Sequence, residues 1–277
     1  MKVVELPAGP IEYVESGEGA PVVFLHGAMK DAAVWDRVVA QLPTGFRYIR
    51  PTLPLGSHRL PMRQDADLTV RGLAALVADF CATLDLDRVT LVQNHWGAAQ
   101  VMLAEGYGTR LRAIVACACE AFDNYPPGAA GRAFSRAARV PGAFAAMGWV
   151  TRRAAVRRML AGNDVTSLRP IPAELSERWQ LPFATEAEVR RDVRKILSDD
   201  YSRDQLERWA AAVAGFDGPA LVVWAVGDKL MPRDHGARLA AAFGNGELVE
   251  IADSATCIPL DQPQWLATEI ARFLAAH

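Results

Sequence analysis

Four short apolar runs, each ending in a loop rich in Gly, Pro, Asp, Asn or His, constrain this chain more than any other feature. Pro21–Leu25, Val89–Val92, Arg112–Cys119 and Ala220–Trp224 are too short for buried helices and almost continuously apolar. That is the pattern of strands buried on both faces. Helical patterns separate them. Ala33, Val34, Trp35, Val38, Val39 and Leu42 form one apolar face, and a longer amphipathic helix is predicted over Leu68–Leu84. Ile11–Val14, Arg47–Arg50 and Glu247–Ile251 read as further strands, a helix starts near Ala98, and Gln264–Leu274 is the closing helix. Repeating βα units predict an α/β chain, with a mostly parallel twisted sheet flanked by helices.

The repeat breaks between Tyr125 and Tyr201. This stretch has helical patterns but no convincing strand, and Pro126, Pro127, Pro170, Pro172 and Pro182 punctuate it. We read residues 125–201 as an inserted helical cap, and residues 1–124 and 202–277 as the core. Hydrophobic residues make up 51% of the chain and charged residues 22%, enough apolar material for a large core. The net charge is −2 with no block of like charge, so neither a nucleic-acid nor a membrane-surface partner is expected. The basic stretch Arg152–Arg158 reads as the solvated face of a helix.

The N-terminus lacks the apolar run of a secretory signal, and no segment approaches the roughly 20 apolar residues of a membrane span. Cys81, Cys117, Cys119 and Cys257 show no Cys-x-x-Cys spacing and read as reduced core thiols, the usage of a cytoplasmic protein. Arg far outnumbers Lys, a composition associated with GC-rich bacterial genomes. No metal or cofactor signature is present, so a cofactor-free protein is expected. The sequence leaves monomer and homodimer equally open.

Ligands of open parallel sheets bind at the carboxyl ends of the strands. Three loops there stand out. Gln93-Asn94-His95-Trp96-Gly97 lies between a strand and a helix. Asp228 lies in the loop Trp224–Pro232. The third loop, Asp253–Pro263, contains Thr256 and Cys257. His26-Gly27-Ala28 ends an earlier buried strand, roughly 70 residues before His95.

These segments resemble the α/β-hydrolase superfamily, in its haloalkane dehalogenase and epoxide hydrolase branch, over nearly the whole chain and most loosely in the cap. Gln93–Ala98 resembles the Gly-x-Asp-Trp-Gly-Gly nucleophile elbow, with Gln93, His95 and Ala98 as departures. Trp96 matches the Trp that helps bind the leaving halide in the dehalogenases. The resemblance implies an oxyanion hole at Gly27, with backbone N–H groups from Ala28 and Trp96. It implies a catalytic acid at Asp228, or at Asp123 as a reserve position. The catalytic histidine position falls on Thr256.

Thr256 cannot serve as a base near neutral pH, so the family's standard turnover is expected to fail. His95 is expected to extend toward Asp228, directly or through Thr256 or a water, as a general-base pair. Catalytic candidates are therefore His95, Asp228 and Thr256. Trp35, His58, Asp123 and Cys257 are candidates for the wall of a substrate pocket. His26 is expected to be structural, and His235 to lie on a helix surface. Trp149, Trp179 and Trp209 are expected in the core or pocket wall.

Three functions fit. The first is cofactor-free acid–base chemistry of lyase, isomerase or cyclase type on a small apolar molecule. The second is hydrolysis of epoxide, haloalkane or ester substrates by a non-standard route. The third is silent binding of a small molecule.

Overall fold

The computed structural model describes residues 1–277. Its strands are β1 (Lys2–Leu6), β2 (Gly9–Ser16), β3 (Ala20–Leu25), β4 (Phe46–Pro51), β5 (Val89–His95), β6 (Leu111–Cys119), β7 (Ala220–Ala225) and β8 (Gly246–Ile251). They form one eight-stranded sheet in the order β1-β2-β4-β3-β5-β6-β7-β8. The pairs β1–β2 and β2–β4 are antiparallel, and every later pair is parallel. All four apolar runs thus lie side by side in the parallel part. Val22, Val23, Phe24, Leu91, Val92, Val115, Ala116 and the whole of Leu221–Ala225 have no solvent exposure.

The helices α1 (Asp36–Val39), α2 (Val70–Thr83) and α3 (Ala98–Ala104) precede β6. Between β6 and β7 come α4 (Gly128–Arg139), α5 (Ala143–Thr151), α6 (Ala154–Gly162), α7 (Ala173–Thr185), α8 (Ala187–Ser198) and α9 (Arg203–Ala211). The chain closes with α10 (Arg233–Ala242), α11 (Ile258–Asp261) and α12 (Pro263–Ala276). Helices α4 to α8 pack on one another, around a small core of Ala138, Phe144, Phe183 and Val193. Helix α9 instead packs on α3 of the main body.

Several elements differ from expectation. β1 carries no apolar run: Lys2, Val3 and Val4 face outward or half outward from a sheet edge, which weakens its alternation. The helix read over Ala33–Leu42 is a 3-10 turn, Ala32–Trp35, followed by the single turn α1; Asp31 caps the 3-10 turn by accepting from Ala33 N at 2.9 Å. β5 continues to His95 through an irregularity between Asn94 and His95.

The cap is tied to the core largely through buried polar groups. Asp31 accepts from Trp179 Nε1 at 2.8 Å and from Arg178 Nε at 2.5 Å. Asp192 on α8 accepts from Met62 N at 2.9 Å and lies 3.3 Å from His58 Nε2. Ser57 Oγ donates to Trp179 O at 2.8 Å.

Four side chains depart from their expected settings. Trp149 is 59% exposed, not a core or pocket residue. Arg157 is buried and donates to Glu177 at 2.6 and 2.8 Å, so Arg152–Arg158 is not wholly a solvated face. His235 is buried under α10, edge-on to the Phe122 ring, rather than on a helix surface. Trp35 is fully buried against Phe24, at 5.2 Å between ring centroids, and so sits in the core rather than in a pocket wall.

Phe24 sits at the middle of this packing, with the rings of Trp35 and Tyr48 at 5.2 and 6.1 Å. Phe24→Ala should lower stability by about 3–5 kcal/mol, read as a fall in the urea midpoint at unchanged m-value. A loss under about 1 kcal/mol would mean that the sheet centre does not carry the fold.

Candidate active site

The elbow between β5 and α3 is strained in the manner a nucleophile turn requires. His95 has φ +71°, in the left-handed region that non-glycine residues rarely adopt. Gly97 lets the turn close: a Cβ there would stand 2.4 Å from Glu120 O. Gln93 occupies the other position where the resemblance implies a small residue, and its side chain folds back. Its Oε1 accepts from Ala99 N at 2.6 Å, satisfying one of the free N–H groups at the start of α3. Its Nε2 donates to Gln100 Oε1 at 3.1 Å and faces Cys119 Sγ at 3.3 Å. A large residue is tolerated here because it acts as a helix cap.

His95 packs closely against the Gly27 turn. A Cβ on Gly27 would come within 2.3–2.6 Å of His95 Cβ, Nδ1 and Cγ, so only glycine permits this contact. The imidazole is half-buried, and no hydrogen bond joins it to Asp228, whose Oδ1 is taken by Thr256. Burial, and next the Lys30 charge, lower its pKa to about 4, so it is neutral at ordinary pH. His26 is structural, as expected. Leu53 N donates to its Nε2 and its Nδ1 donates to Gly27 O, both at 2.8 Å.

The two expected oxyanion donors behave differently. Ala28 N donates to no protein group. Trp96 N is turned inward and donates to Asn94 O at 2.9 Å. Trp96 instead presents its indole Nε1, buried and without a partner.

Asp228 pairs with Thr256, not with His95. Its Oδ1 accepts from Thr256 Oγ1 at 2.9 Å, from Leu230 N at 2.8 Å and from Met231 N at 3.2 Å. Its Oδ2 is buried and unpartnered, and burial raises its pKa despite these bonds. Of the routes expected from sequence, a direct His95–Asp228 hydrogen bond is not formed, and Thr256 is the group bonded to Asp228. Asn94 secures the third loop by donating to Thr256 O at 2.6 Å.

The remaining candidates spread out. Asp123 is 41% exposed and pairs with Arg203 at 3.3 Å, so the reserve acid lies on the surface. His58 is committed to Asp192 rather than facing a pocket. Cys257 is buried beside Thr256, and burial pushes its thiol up to about 12. All four cysteines are free and buried. No three His, Cys, Asp or Glu side chains are grouped to hold a metal ion.

Two groups escaped the sequence reading. Glu120 follows β6 directly, and its strand-end position was the available signal. It lines a cavity of about 30 Å³ with Trp96, Gln100, Tyr125 and Trp209. Burial pushes its carboxyl up to about 8. The other is the Lys30–Asp164 ion pair, 2.9 Å long, with side chains only 7% and 18% exposed. Lys30 Nζ also lies 5.1 Å from the Trp179 ring centroid. Burial works against ionisation of Asp164, but the Lys30 charge outweighs it and leaves the pKa lowered. Thr166 N and Oγ1 donate to Asp164, and Cys257 N donates to Thr166 O, so this loop of the insertion is stitched to the loop Asp253–Pro263.

Glu120 makes a signed pH prediction. In the unfolded chain its carboxyl ionises near pH 4.5, and in the folded chain only near 8. Between those values the folded state holds the extra proton, so this group subtracts stability as pH rises. Glu120→Gln should therefore gain stability relative to the parent from pH 5 to 8, then level off. A difference that stays constant across that range, by urea unfolding, would contradict the assignment.

Comparison with known proteins places this geometry. Residues 22–269 match the alpha/beta hydrolase family. Haloalkane dehalogenase 2 of Mycobacterium tuberculosis is 28% identical over 276 residues, covering 95% of this chain and 90% of that protein. A putative ancestral haloalkane dehalogenase superimposes with a TM-score of 0.78 at 19% identity, over 100% and 99% of the two chains. An esterase from Thermogutta terrifontis gives 0.74 at 18% identity, over 100% and 99%. Those structures share the fold: an eight-stranded, mostly parallel sheet with a helical insertion. With a strained elbow set against the Gly27 turn and a family match that spans most of its length, this chain belongs to the alpha/beta hydrolase family.

Proposed function

We propose that this protein is a hydrolase-type enzyme that acts on small, largely apolar esters, epoxides or haloalkanes by a non-standard route. In this reading His95 activates water directly. The observation that carries the proposal is the neutral, half-buried imidazole on a strained elbow, beside the free N–H of Ala28. His95 takes a proton from water as the water oxygen bonds to the electrophilic carbon. The bond to the leaving group breaks; an alkoxide leaving group takes the proton from His95, whereas a halide departs as the anion and His95 releases the proton to solvent. Ala28 N and the Gly27 turn receive the developing oxyanion, and Trp96 Nε1 a departing anion. Asp228 and Thr256 position the third loop, and Cys257 forms part of the wall.

No covalent ester intermediate is invoked, because Thr256 offers no base to split one. The relatives are haloalkane dehalogenases, which supports hydrolysis over other chemistry. Residues 125–201, the proposed cap, set the substrate's shape.

A second reading is favoured by the Thr256–Asp228 bond, which fills the place of the missing base. The same imidazole could then move a proton on the substrate itself, as in a lyase, isomerase or cyclase. Incorporation of solvent deuterium into recovered substrate, without hydrolysis, selects that reading.

On a panel of esters, epoxides and haloalkanes, His95→Ala should lower turnover by about 10²–10⁴-fold, the usual worth of a positioned base. Asp228→Asn should change it far less. The pH–rate profile should be flat through neutrality, with an acid limb near pH 4. Undiminished turnover in His95→Ala would sink the proposal. A limb near 6.5 would show that the ring is charge-paired during turnover.

A further inference from the structure

Forty consecutive residues, 124 to 163, contain no Asp or Glu and seven arginines: Arg132, Arg136, Arg139, Arg152, Arg153, Arg157 and Arg158. With 32 acidic residues in 277, forty residues would ordinarily carry about five. The chain's net charge of −2 hides this segregation, and for that reason the sequence reading expected no membrane-surface partner. The segment forms α4, α5 and α6 of the insertion.

Apolar exposure is concentrated in the same region. Of eleven exposed large hydrophobic side chains in the molecule, five lie in this segment: Val140, Trp149, Val150, Met159 and Leu160. Trp149 (59%) and Val150 (40%) lie at the α5–α6 corner, and Met159 (58%) and Leu160 (42%) lie further along α6. Arg153 stacks its guanidinium 4.1 Å from the Trp149 ring centroid. Acidic neighbours reach only two of the seven arginines: Glu177 pairs with Arg157, and Asp200 with Arg139 at 3.5 Å. Arg132, Arg136, Arg152, Arg153 and Arg158 have no carboxylate within 4 Å.

We propose that the α5–α6 corner of the insertion is a docking surface for an anionic lipid bilayer. The chemistry matches on both counts. Trp and aliphatic side chains partition into the headgroup boundary, while arginines around them meet lipid phosphates. A nucleic acid or an acidic protein would satisfy the arginines but leave Val150, Met159 and Leu160 in water. No helix here is long and apolar enough to cross a membrane, so the contact is peripheral. The surface also adjoins the candidate site: α6 runs directly into the loop holding Asp164, the partner of Lys30. An apolar substrate dissolved in the bilayer would be collected next to that loop. The docking proposal does not depend on which reaction His95 performs.

The full chain should be mixed with extruded vesicles of phosphatidylcholine alone, or of phosphatidylcholine with phosphatidylglycerol, and sedimented. Binding is expected to the mixed vesicles only, and it should weaken as salt is raised. A basic residue near such a surface is worth about 1 kcal/mol, so Arg153→Glu and Arg158→Glu should each weaken partitioning by at least ~5-fold. Trp149→Ala should weaken it as well. Quenching of tryptophan fluorescence by brominated lipid should disappear in Trp149→Phe. All these side chains are exposed, so unchanged circular dichroism and melting serve as the folding control. Failure to bind either vesicle, or equal binding to both, overturns the proposal. So does heparin binding as tight as vesicle binding and insensitive to Trp149→Ala, which would assign the surface to a soluble polyanion.

Discussion

Everything at the candidate site depends on how closely two backbone turns approach each other. His95 must adopt a left-handed backbone, and its ring must rest on Gly27 at a distance no side chain at that position would allow. Gly97 must meet Glu120 O with equal closeness. Strain of this kind persists only when the surroundings over-determine it. Here they are β3, β5 and β6, three parallel strands with almost no exposure, which leave the elbow no room to relax.

Charge is buried around this turn, and it comes from distant parts of the chain. Lys30 meets Asp164 across 134 residues, and His58 meets Asp192 across the same separation. Asp31 collects Arg59, Arg178 and Trp179. Buried ion pairs give little net stability, because desolvation offsets their attraction, but breaking one partner is costly. They fix how the insertion sits on the sheet. The charge on His95 is opposed first by burial and then by Lys30, while Asp164 acts in the opposite direction.

The sheet was legible because a strand buried on both faces writes itself as an uninterrupted apolar run. Val89–Val92 and Ala220–Trp224 lie in β5 and β7. β1 was not legible, since an edge strand that exposes Val3 needs no such run. The elbow and its departures at Gln93 and His95 could be placed from sequence because they sit at fixed spacing after a strand. Partnerships could not. Sequence left open whether Asp228 meets His95 directly or through Thr256 or a water, and only the folded loops show that its hydrogen bond goes to Thr256, 28 residues away. Asp123 and Glu120 both follow β6, and only packing shows that Glu120 turns inward while Asp123 lies on the surface. Lys30 left a faint trace, as one of four lysines in an arginine-rich chain. Nothing in its own neighbourhood points to Asp164.

Gln93 ties the elbow's chemistry to its history. Its amide caps α3 through Ala99 N while also filling space beside Gln100 and Cys119. Replacing it with the small residue of the related elbows would strand a buried N–H and open a void. An aspartate placed at position 95 would still face Gln93, whose amide caps α3, and Thr256, whose hydroxyl is bonded to Asp228. The elbow and the third loop are thus coupled through hydrogen bonds already in use, and a change at one of these positions acts on a setting fixed by the other two.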